Sequence, residues 1–307
     1  MKTLRDCVRE AQEKKVAIGH FNISNLEGLW GVFRAAQAVG AEMVASGVRE
    51  ADFKLPIIIG VSEGERDFVG VPQAAALVRS LRDEYDYPIF LNGDHTYSFD
   101  RVKEVIDAGF DSVIIDGAAL TFEENIALTK KCVDYAREVT KQTGRDILIE
   151  GELGFIGQSS KVLDAIPEGV LLDEKSLTDP AKAKEFVMAT GVDMLAPAVG
   201  NFHGMLRGGV DPKLNIARVR EIAEATGLPL VLHGGSGNSV DDFTLSIAQG
   251  IAIVHINTEI RVAYKQGLVL ALQEMPDEVA PYKFLKGAVK AVQDVVTKKL
   301  KTFNGME

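Results

Sequence analysis

The chain has 307 residues, of which 46% are hydrophobic and 25% are charged, and its net charge is −10. This composition is typical of a globular protein, and the lack of a basic stripe argues against a nucleic-acid partner. No run approaches 18 apolar residues, the first 15 residues are rich in charge, and two cysteines cannot form a disulfide framework, so we expect a cytoplasmic protein without a membrane span or secretory signal.

Short apolar runs of strand length recur along the chain. Most of them are apolar without alternation, which is typical of parallel strands that are covered on both faces. The eight runs are Val16–Phe21, Ile57–Val61, Ile89–Leu91, Ser112–Ile115, Ile147–Ile149, Met194–Val199, Leu230–Leu232 and Ile251–Ile256.

Longer amphipathic patterns separate these runs and predict helices. Several of them stop at a glycine, which is common just past a helix end. Eight strands alternating with helices predict an α/β fold, a single (β/α)8 barrel over residues 1–307, with an open doubly wound sheet as the alternative. No G-x-G-x-x-G motif follows the first run, which disfavours a dinucleotide-binding form of that sheet. The predicted helices include Phe99–Ala108, Phe122–Thr140, Pro180–Thr190, Ile216–Thr226 and Pro281–Phe303.

All five histidines fall at the C-terminal ends of predicted strands, the end at which barrel active sites lie. Asp94 and His95 close the third run, and an adjacent carboxylate and imidazole suit a proton-transfer group beside a metal ligand. Together with His203 and His233, His95 would form a set of three neutral imidazoles, which is a common catalytic zinc site. The histidines are His20, His95, His203, His233 and His255.

Two loops at the same end have the features of an anion site. The sequence Gly-Gly-Ser-Gly follows the seventh run, and Asn-Thr follows the eighth. Glycines let backbone N–H groups approach an anion, and hydroxyl groups add donors. The loops after strands seven and eight often bind phosphate in these barrels, although such a glycine loop alone is usually a flexible turn. The predicted phosphate-binding residues are Gly234, Gly235, Ser236, Asn257 and Thr258.

Carboxylates and an irregular segment lie around the fifth run. Glu150 and Glu152 at its end suit metal binding or proton transfer, although solvated rim charges would look the same. Asp116, before a glycine after the fourth run, has the pattern of a turn. Residues 155–178 are too long and irregular for a simple connection, so we predict a lid over the active site.

With these motifs, the chain resembles class II fructose-bisphosphate and tagatose-bisphosphate aldolases along nearly its whole length. The most specific part is the ordered set Asp-His (94–95), Glu-Leu-Gly (152–154), His-Gly (203–204) and His-Gly-Gly-Ser-Gly (233–237). The resemblance implies a zinc enzyme that reversibly cleaves a ketose 1,6-bisphosphate, with fructose 1,6-bisphosphate expected, to dihydroxyacetone phosphate and glyceraldehyde 3-phosphate. We also expect a monovalent cation, Na+ or K+, beside one phosphate, and a homodimer or homotetramer.

The resemblance also implies roles for individual residues. His95, His203 and His233 match the zinc ligands, Glu152 matches a carboxylate that approaches the metal when the site is empty, and Asp94 matches the base that takes the C4 hydroxyl proton. We expect His255 to donate a hydrogen bond to the enediolate. The residues that match one phosphate site are Gly204, Gly234, Ser236, Asn257 and Thr258, and those near the other phosphate or the sugar chain are Asn22 and Ser62.

Three features depart from the family pattern. The lid position that usually carries an acid, eight residues after Glu152, is Ser160. The eighth run has His255 and Ile253 where the family usually has Asn and Lys, and residues 44–53 look additional. We therefore expect another lid carboxylate to protonate C3 of the substrate. The candidates are Asp164, Glu168, Asp173 and Glu174.

Two other functions fit the sequence less well, and a third would use the same residues. A Schiff-base aldolase needs a desolvated lysine, and none of the eight runs contains or ends in one. A metal-binding barrel without catalysis would explain the missing lid acid. A tagatose-bisphosphate aldolase would use the same residues, because the motifs do not distinguish the configuration at C4.

Overall fold

Eight parallel strands close into a barrel in the computed structural model, which describes residues 2–157, 161–165, 176–208 and 211–306. The first strand pairs with both the second and the last, so the sheet has no free edge. This confirms the predicted (β/α)8 barrel. The barrel strands are β1 (Ile18–Asn22), β2 (Ile57–Val61), β3 (Ile89–Thr96), β4 (Ser112–Ile115), β5 (Leu148–Leu153), β7 (Met194–Pro197), β9 (Leu230–Leu232) and β10 (Ile251–Ile256).

Helices surround the barrel, and local signals set their ends. Helix α6 begins at a capping box formed by Thr121 and Glu124 and ends at the left-handed Gly144. Three more helices end at left-handed glycines, Gly109, Gly191 and Gly227, as predicted. The helices of the described residues are α1 (Leu4–Lys14), α2 (Leu26–Ala45), α3 (Glu63–Val69), α4 (Val71–Tyr85), α5 (Phe99–Ala108), α6 (Phe122–Thr143), α7 (Pro180–Thr190), α8 (Ile216–Thr226), α9 (Val240–Ala248), α10 (Thr258–Glu274) and α11 (Pro281–Phe303).

The lower half of the barrel interior is an apolar layer. Helix α1 packs beneath this layer through Leu4, Cys7, Val8 and Ala11 and closes the bottom of the barrel. Both cysteines are buried, and burial raises the pKa of the Cys7 thiol to about 12, so it is not a nucleophile. The apolar layer consists of Ile18, Ile58, Phe90, Ile114, Leu148, Met194, Ala196, Val231, Ala252 and Ile253.

A polar layer lies directly above the apolar layer. Side chains two residues apart on a strand point the same way, so the residue two positions beyond each apolar-layer residue occupies the next level of the interior. Five of these positions carry polar side chains that are at most 5% exposed. The polar layer consists of His20, Asn92, Glu150, His233 and His255, each two residues after Ile18, Phe90, Leu148, Val231 and Ile253 respectively.

Several details differ from the sequence prediction. Strand β3 continues to Thr96 and β5 to Leu153, beyond the apolar runs. Two unpredicted strands, β6 (Val162–Leu163) and β8 (Met205–Leu206), pair with each other and join the segments that follow β5 and β7. The apparently additional residues 44–53 complete α2 and form turns after it. No helix in the described part of the chain is long and apolar enough to cross a membrane.

Candidate active site

An open cleft of about 790 Å³ lies at the C-terminal end of the barrel, above the polar layer. Most of the residues predicted from the sequence line this cleft: Asn22, Ser62, Asp94, His95, His203, Gly204, His233, Gly234, Ser236, His255, Asn257 and Thr258. Four further lining residues had not been predicted: Glu63, Gly64, Tyr97 and Arg261. Glu152 and Gly235 do not line the cleft in the described residues.

Three histidines converge on one point of the cleft. Ring nitrogens of His95, His203 and His233 all lie within 4.8 Å of one another, and His95 Nε2 is 3.2 Å from His233 Nδ1. Two ligand atoms of a tetrahedral zinc ion, each about 2.0–2.1 Å from the metal, are about 3.3 Å apart. The buried Nε2 atom of His203 has no hydrogen-bond partner. The donor set and its spacing therefore fit a zinc ion with an open coordination position.

Buried carboxylates hold the outer nitrogens of two of these rings. His95 Nδ1 lies 2.9 Å from Asp116 Oδ2, and His233 Nε2 lies 2.8 Å from Glu150 Oε1. Each carboxylate accepts the N–H of its ring, which leaves the opposite nitrogen free to bind metal. Asp116 therefore orients a candidate metal ligand and is not only the turn residue that its glycine neighbour suggests. Its position at the end of β4 is the sequence feature that could have indicated this role.

The carboxylates also affect the protonation of His95 in the metal-free chain. Burial would lower its pKa, but Asp94, Asp116 and Glu152 together raise the pKa to about 10. A divalent cation at the Nε2 atom would replace this proton, because imidazole binds metals in its neutral form.

Glu152 lies beside the Nδ1 atom of His95, close to Asp116. Its Oε2 atom is 3.5 Å from His95 Nδ1 and has no hydrogen-bond partner. Burial and the neighbouring Asp116 raise the pKa of Glu152 well above its usual value. In this conformation, the three-histidine group does not include the carboxylate.

Asp94 stands between the histidine group and two polar neighbours. Asn22 Nδ2 donates to Asp94 Oδ2 at 2.8 Å, and His255 Nδ1 lies 3.3 Å from Asp94 Oδ1. Burial would raise the pKa of Asp94, but His95 and His255 lower it well below its usual value. The side chain is therefore a charged carboxylate in the cleft wall, as a general base requires.

His255 also stacks on His20 in the polar layer. The ring centroids are 3.4 Å apart and the planes are nearly parallel, at 4°. Asn92 lies 3.0 Å from His20 Nε2 and accepts a hydrogen bond from Ser112. Although His20, Asp94 and His255 are close enough for a metal, a ligated ion lies in the plane of each ring, and parallel stacked rings cannot share one.

Gly60 on β2 makes room for this stack. A Cβ atom at Gly60 would lie 2.0 Å from Cε1 of His20. Burial lowers the pKa of His20 to about 3, so the ring is neutral. The polar layer thus contains a neutral imidazole, His20, packed tightly against the backbone of β2.

One end of the cleft is built from two glycine-containing loops. Gly234 has a left-handed backbone (φ 61°), and a Cβ atom there would lie 2.1 Å from the carbonyl oxygen of Phe202. Ser236 and Thr258 are buried beside it, and Gly204 completes the wall. Gly235 donates its N–H to the carbonyl of His255, so this amide is not available to a ligand. An anion would therefore meet Gly234, Ser236 and the start of α10.

The other end contains an unpredicted network around Glu65. This buried carboxylate accepts hydrogen bonds from Asn22 Nδ2 at 2.8 Å and from Ser62 Oγ at 2.9 Å. It also accepts from Arg261 Nη2 at 2.6 Å. Among the described residues, Arg261 is the only lysine or arginine that lines the cleft. The spacing of Ser62 and Glu65 is that of a capping box, which was a usable local signal.

The predicted lid lies largely outside the described residues. Ser160 and three of its candidate acids, Glu168, Asp173 and Glu174, are not described. Asp164 is described, and it is exposed and paired with Arg207 at 2.7 Å rather than lining the cleft.

Comparison with known proteins identifies the family. The model of the family "Fructose-bisphosphate aldolase class-II" matches residues 2–307. The chain is 36% identical to the "Probable fructose-bisphosphate aldolase" of Bacillus subtilis and 35% identical to the fructose-bisphosphate aldolase of Staphylococcus aureus, each over 98% of this chain and 96% of the relative. The crystal structure of the YdjI aldolase of Escherichia coli K12 superposes with a TM-score of 0.77 at 30% identity, covering 98% of this chain and 96% of that one. The chain therefore belongs to the class II fructose-bisphosphate aldolase family and is a carbon–carbon lyase.

Proposed function

We propose that this enzyme is a zinc-dependent aldolase that reversibly cleaves fructose 1,6-bisphosphate to dihydroxyacetone phosphate and glyceraldehyde 3-phosphate. The observation that supports this most is the group of His95, His203 and His233 next to the charged carboxylate of Asp94. An electrophile and a base side by side are what retro-aldol cleavage of a hydroxyketone requires.

The three histidines would hold one zinc ion per chain, with Asp116 and Glu150 fixing the orientation of two rings. The ion would supply electrophilic stabilisation at the C2 carbonyl of the substrate. Glu152 lies close enough to His95 to reach the site after a side-chain movement, which keeps it a candidate ligand of the substrate-free enzyme.

Asp94 would take the proton from the C4 hydroxyl and return it during condensation. Asn22 donates to one of its carboxylate oxygens, and His255 Nδ1 lies 3.3 Å from the other. Because the Nδ1 atom of His255 faces Asp94, we assign His255 to orienting this base rather than to a hydrogen bond with the enediolate. The stack on His20 fixes the plane of the His255 ring for that purpose.

One substrate phosphate would bind between Gly204, Gly234, Ser236, Asn257 and Thr258, with a monovalent cation, Na+ or K+, beside it. The N-terminus of α10 lies at this loop and adds a favourable dipole. Asn22, Ser62 and Arg261 would face the other end of the sugar phosphate. We further propose that the enzyme is cytoplasmic and forms a homodimer or homotetramer. Light scattering would measure the oligomeric state.

The proton at C3 needs a separate donor, because Asp94 is assigned to the C4 hydroxyl. Asp164, Glu168, Asp173 and Glu174 in the lid segment are the candidates, and Asp164 would have to leave Arg207 to act. Tritium exchange at dihydroxyacetone phosphate, measured in each single Asn or Gln variant, identifies the donor as the variant that loses exchange and keeps its zinc.

A substrate panel tests the proposed function. Zinc-loaded enzyme should cleave fructose 1,6-bisphosphate faster than tagatose 1,6-bisphosphate or fructose 1-phosphate, and chelator should abolish all activity until zinc is restored. Faster cleavage of tagatose 1,6-bisphosphate would assign the alternative substrate. Full activity in chelator, or inactivation by borohydride in the presence of substrate, would contradict the metal mechanism.

A further inference from the structure

Asp94 and His95 are adjacent on β3, yet both side chains line the cleft. On a regular strand, consecutive side chains point to opposite faces. Phe90 and Asn92 point into the barrel, so Asp94 follows the alternation and His95 should point outward toward the helices. A base and a metal ligand from neighbouring residues therefore require a local break in the strand.

The break is a β-bulge in the pairing of β3 with β4. Gly93 pairs with Val113 and Thr96 pairs with Ile115, so three steps along β3 match two steps along β4. His95 occupies the left-handed region, with φ 38°, which is unfavourable for a residue with a Cβ atom. The extra residue turns His95 back into the cleft, but it also interrupts the hydrogen bonds of the ladder.

The guanidinium of Arg66 on α3 occupies this interruption. It is among the largest fully buried side chains, at 1% exposure. Its Nη1 donates to the carbonyl of Asp94 at 3.1 Å and to the carbonyl of Val61 at 2.7 Å. Its Nη2 donates to Thr96 Oγ1 at 3.1 Å. One side chain thus binds both ends of the bulge and the end of the neighbouring strand β2.

The charge of Arg66 is not explained by an ion pair. Among the described residues, the nearest carboxylate oxygen, on Glu63, is 3.8 Å from Arg66 Nη2, which is beyond hydrogen-bond distance. The Nε atom has no hydrogen-bond partner, and burial lowers the pKa of Arg66. Burying a charged group in this way is unfavourable unless its donors form hydrogen bonds with buried acceptors. Here the donors bind the carbonyl groups of Asp94 and Val61 and the hydroxyl of Thr96, at the bulge and beside it.

We propose that Arg66 is a positioning residue, which holds the Asp94–His95 bulge and thereby places the general base and one metal ligand in the same cleft. This inference rests on the proposed metal site. Among the described residues, no hydrogen bond or ion pair joins Arg66 to the two loops of the phosphate site. Replacing Arg66 should therefore affect the metal and the base and leave phosphate binding unchanged.

Zinc affinity measured without turnover tests this role. In Arg66→Met, which keeps the length and loses all donors, chelator competition should show zinc bound about 10- to 100-fold more weakly, as for other residues that orient metal ligands. With saturating zinc, kcat for fructose 1,6-bisphosphate should fall and KM should stay within about 2-fold. Thr96→Val, a smaller change that removes the Oγ1 acceptor, should shift both quantities in the same direction.

Arg82→Met is the matched control. Arg82 binds the carbonyl of Ile89 at the opposite end of the same strand, at 2.9 Å, and pairs with Asp111. This variant should lower the melting temperature without changing zinc affinity or kcat. If Arg66→Met or, should it not fold, Thr96→Val binds zinc and turns over like the wild type, the inference is wrong. Absence of zinc binding in the wild type would instead overturn the proposed function.

Discussion

The apolar layer of the barrel interior comes from all eight barrel strands, whereas the polar layer above it comes from five of them, and the two layers differ in what they contribute. The apolar layer buries hydrocarbon against α1 and stabilises the fold. The polar layer buries imidazole, amide and carboxylate groups, and nitrogens of His20 and His255 have no hydrogen-bond partner. Each such group costs about 1–3 kcal/mol. The apolar layer therefore stabilises the fold, whereas the polar layer supports the site and lowers the stability of the fold.

A large-to-small change in the apolar layer should have the largest effect on folding. Phe90→Ala removes a buried ring and leaves a cavity between α1 and the polar layer, so the free energy of unfolding should fall by about 3–5 kcal/mol. Below the melting transition, kcat should stay near the wild-type value. Urea denaturation and steady-state kinetics on the same sample measure both, and a large loss of kcat in folded protein would mean that the layers are not separable.

A change directly above the polar layer should have the opposite pattern. Asp94→Asn keeps the shape and removes the base, so kcat should fall at least about 100-fold while zinc content and melting temperature remain close to the wild type. Metal analysis and kinetics with added zinc check this. Near-normal turnover in this variant would show that another group takes the C4 proton.

A change in the phosphate loop should have the smallest effect. Ser236→Ala removes one hydroxyl that lines the cleft, and a single hydrogen bond contributes about 0.5–1.5 kcal/mol. KM for fructose 1,6-bisphosphate should therefore rise about 2- to 10-fold with zinc affinity unchanged. Thr244→Ala, on the exposed side of α9, serves as a control hydroxyl deletion. An unchanged KM in Ser236→Ala would place the phosphate elsewhere in the cleft.

The sequence predicted the apolar layer better than the polar one. Strands β2, β4, β9 and β10 agree with their predicted bounds, because a strand buried on both faces is a continuous apolar run. Strand β3 was predicted to end at Leu91, since Asn92, Gly93 and Asp94 are weak strand formers. Their strand conformation depends on neighbours distant in sequence, such as Ser112 and Arg66.

The same limit applies to the cleft. The histidines could be found because their position at strand ends is a local property of the sequence. Glu65 and Arg66 lie in a charged stretch that has the composition of a solvent-exposed helix, and only packing against Asn22, Arg261 and the bulge buries them. Regular alternation along β3 would place His95 outside the cleft, and no feature of the local sequence predicts the bulge.

The metal content of purified enzyme tests the account most directly. Wild-type protein should bind one zinc ion per chain, and its activity toward fructose 1,6-bisphosphate should rise in proportion to zinc added after chelation. His233→Ala removes a ligand that is 3.2 Å from His95 Nε2, so it should lose most of the bound zinc and all measurable activity. Active wild-type enzyme without metal, or full zinc occupancy in His233→Ala, would contradict the assignment of the three histidines.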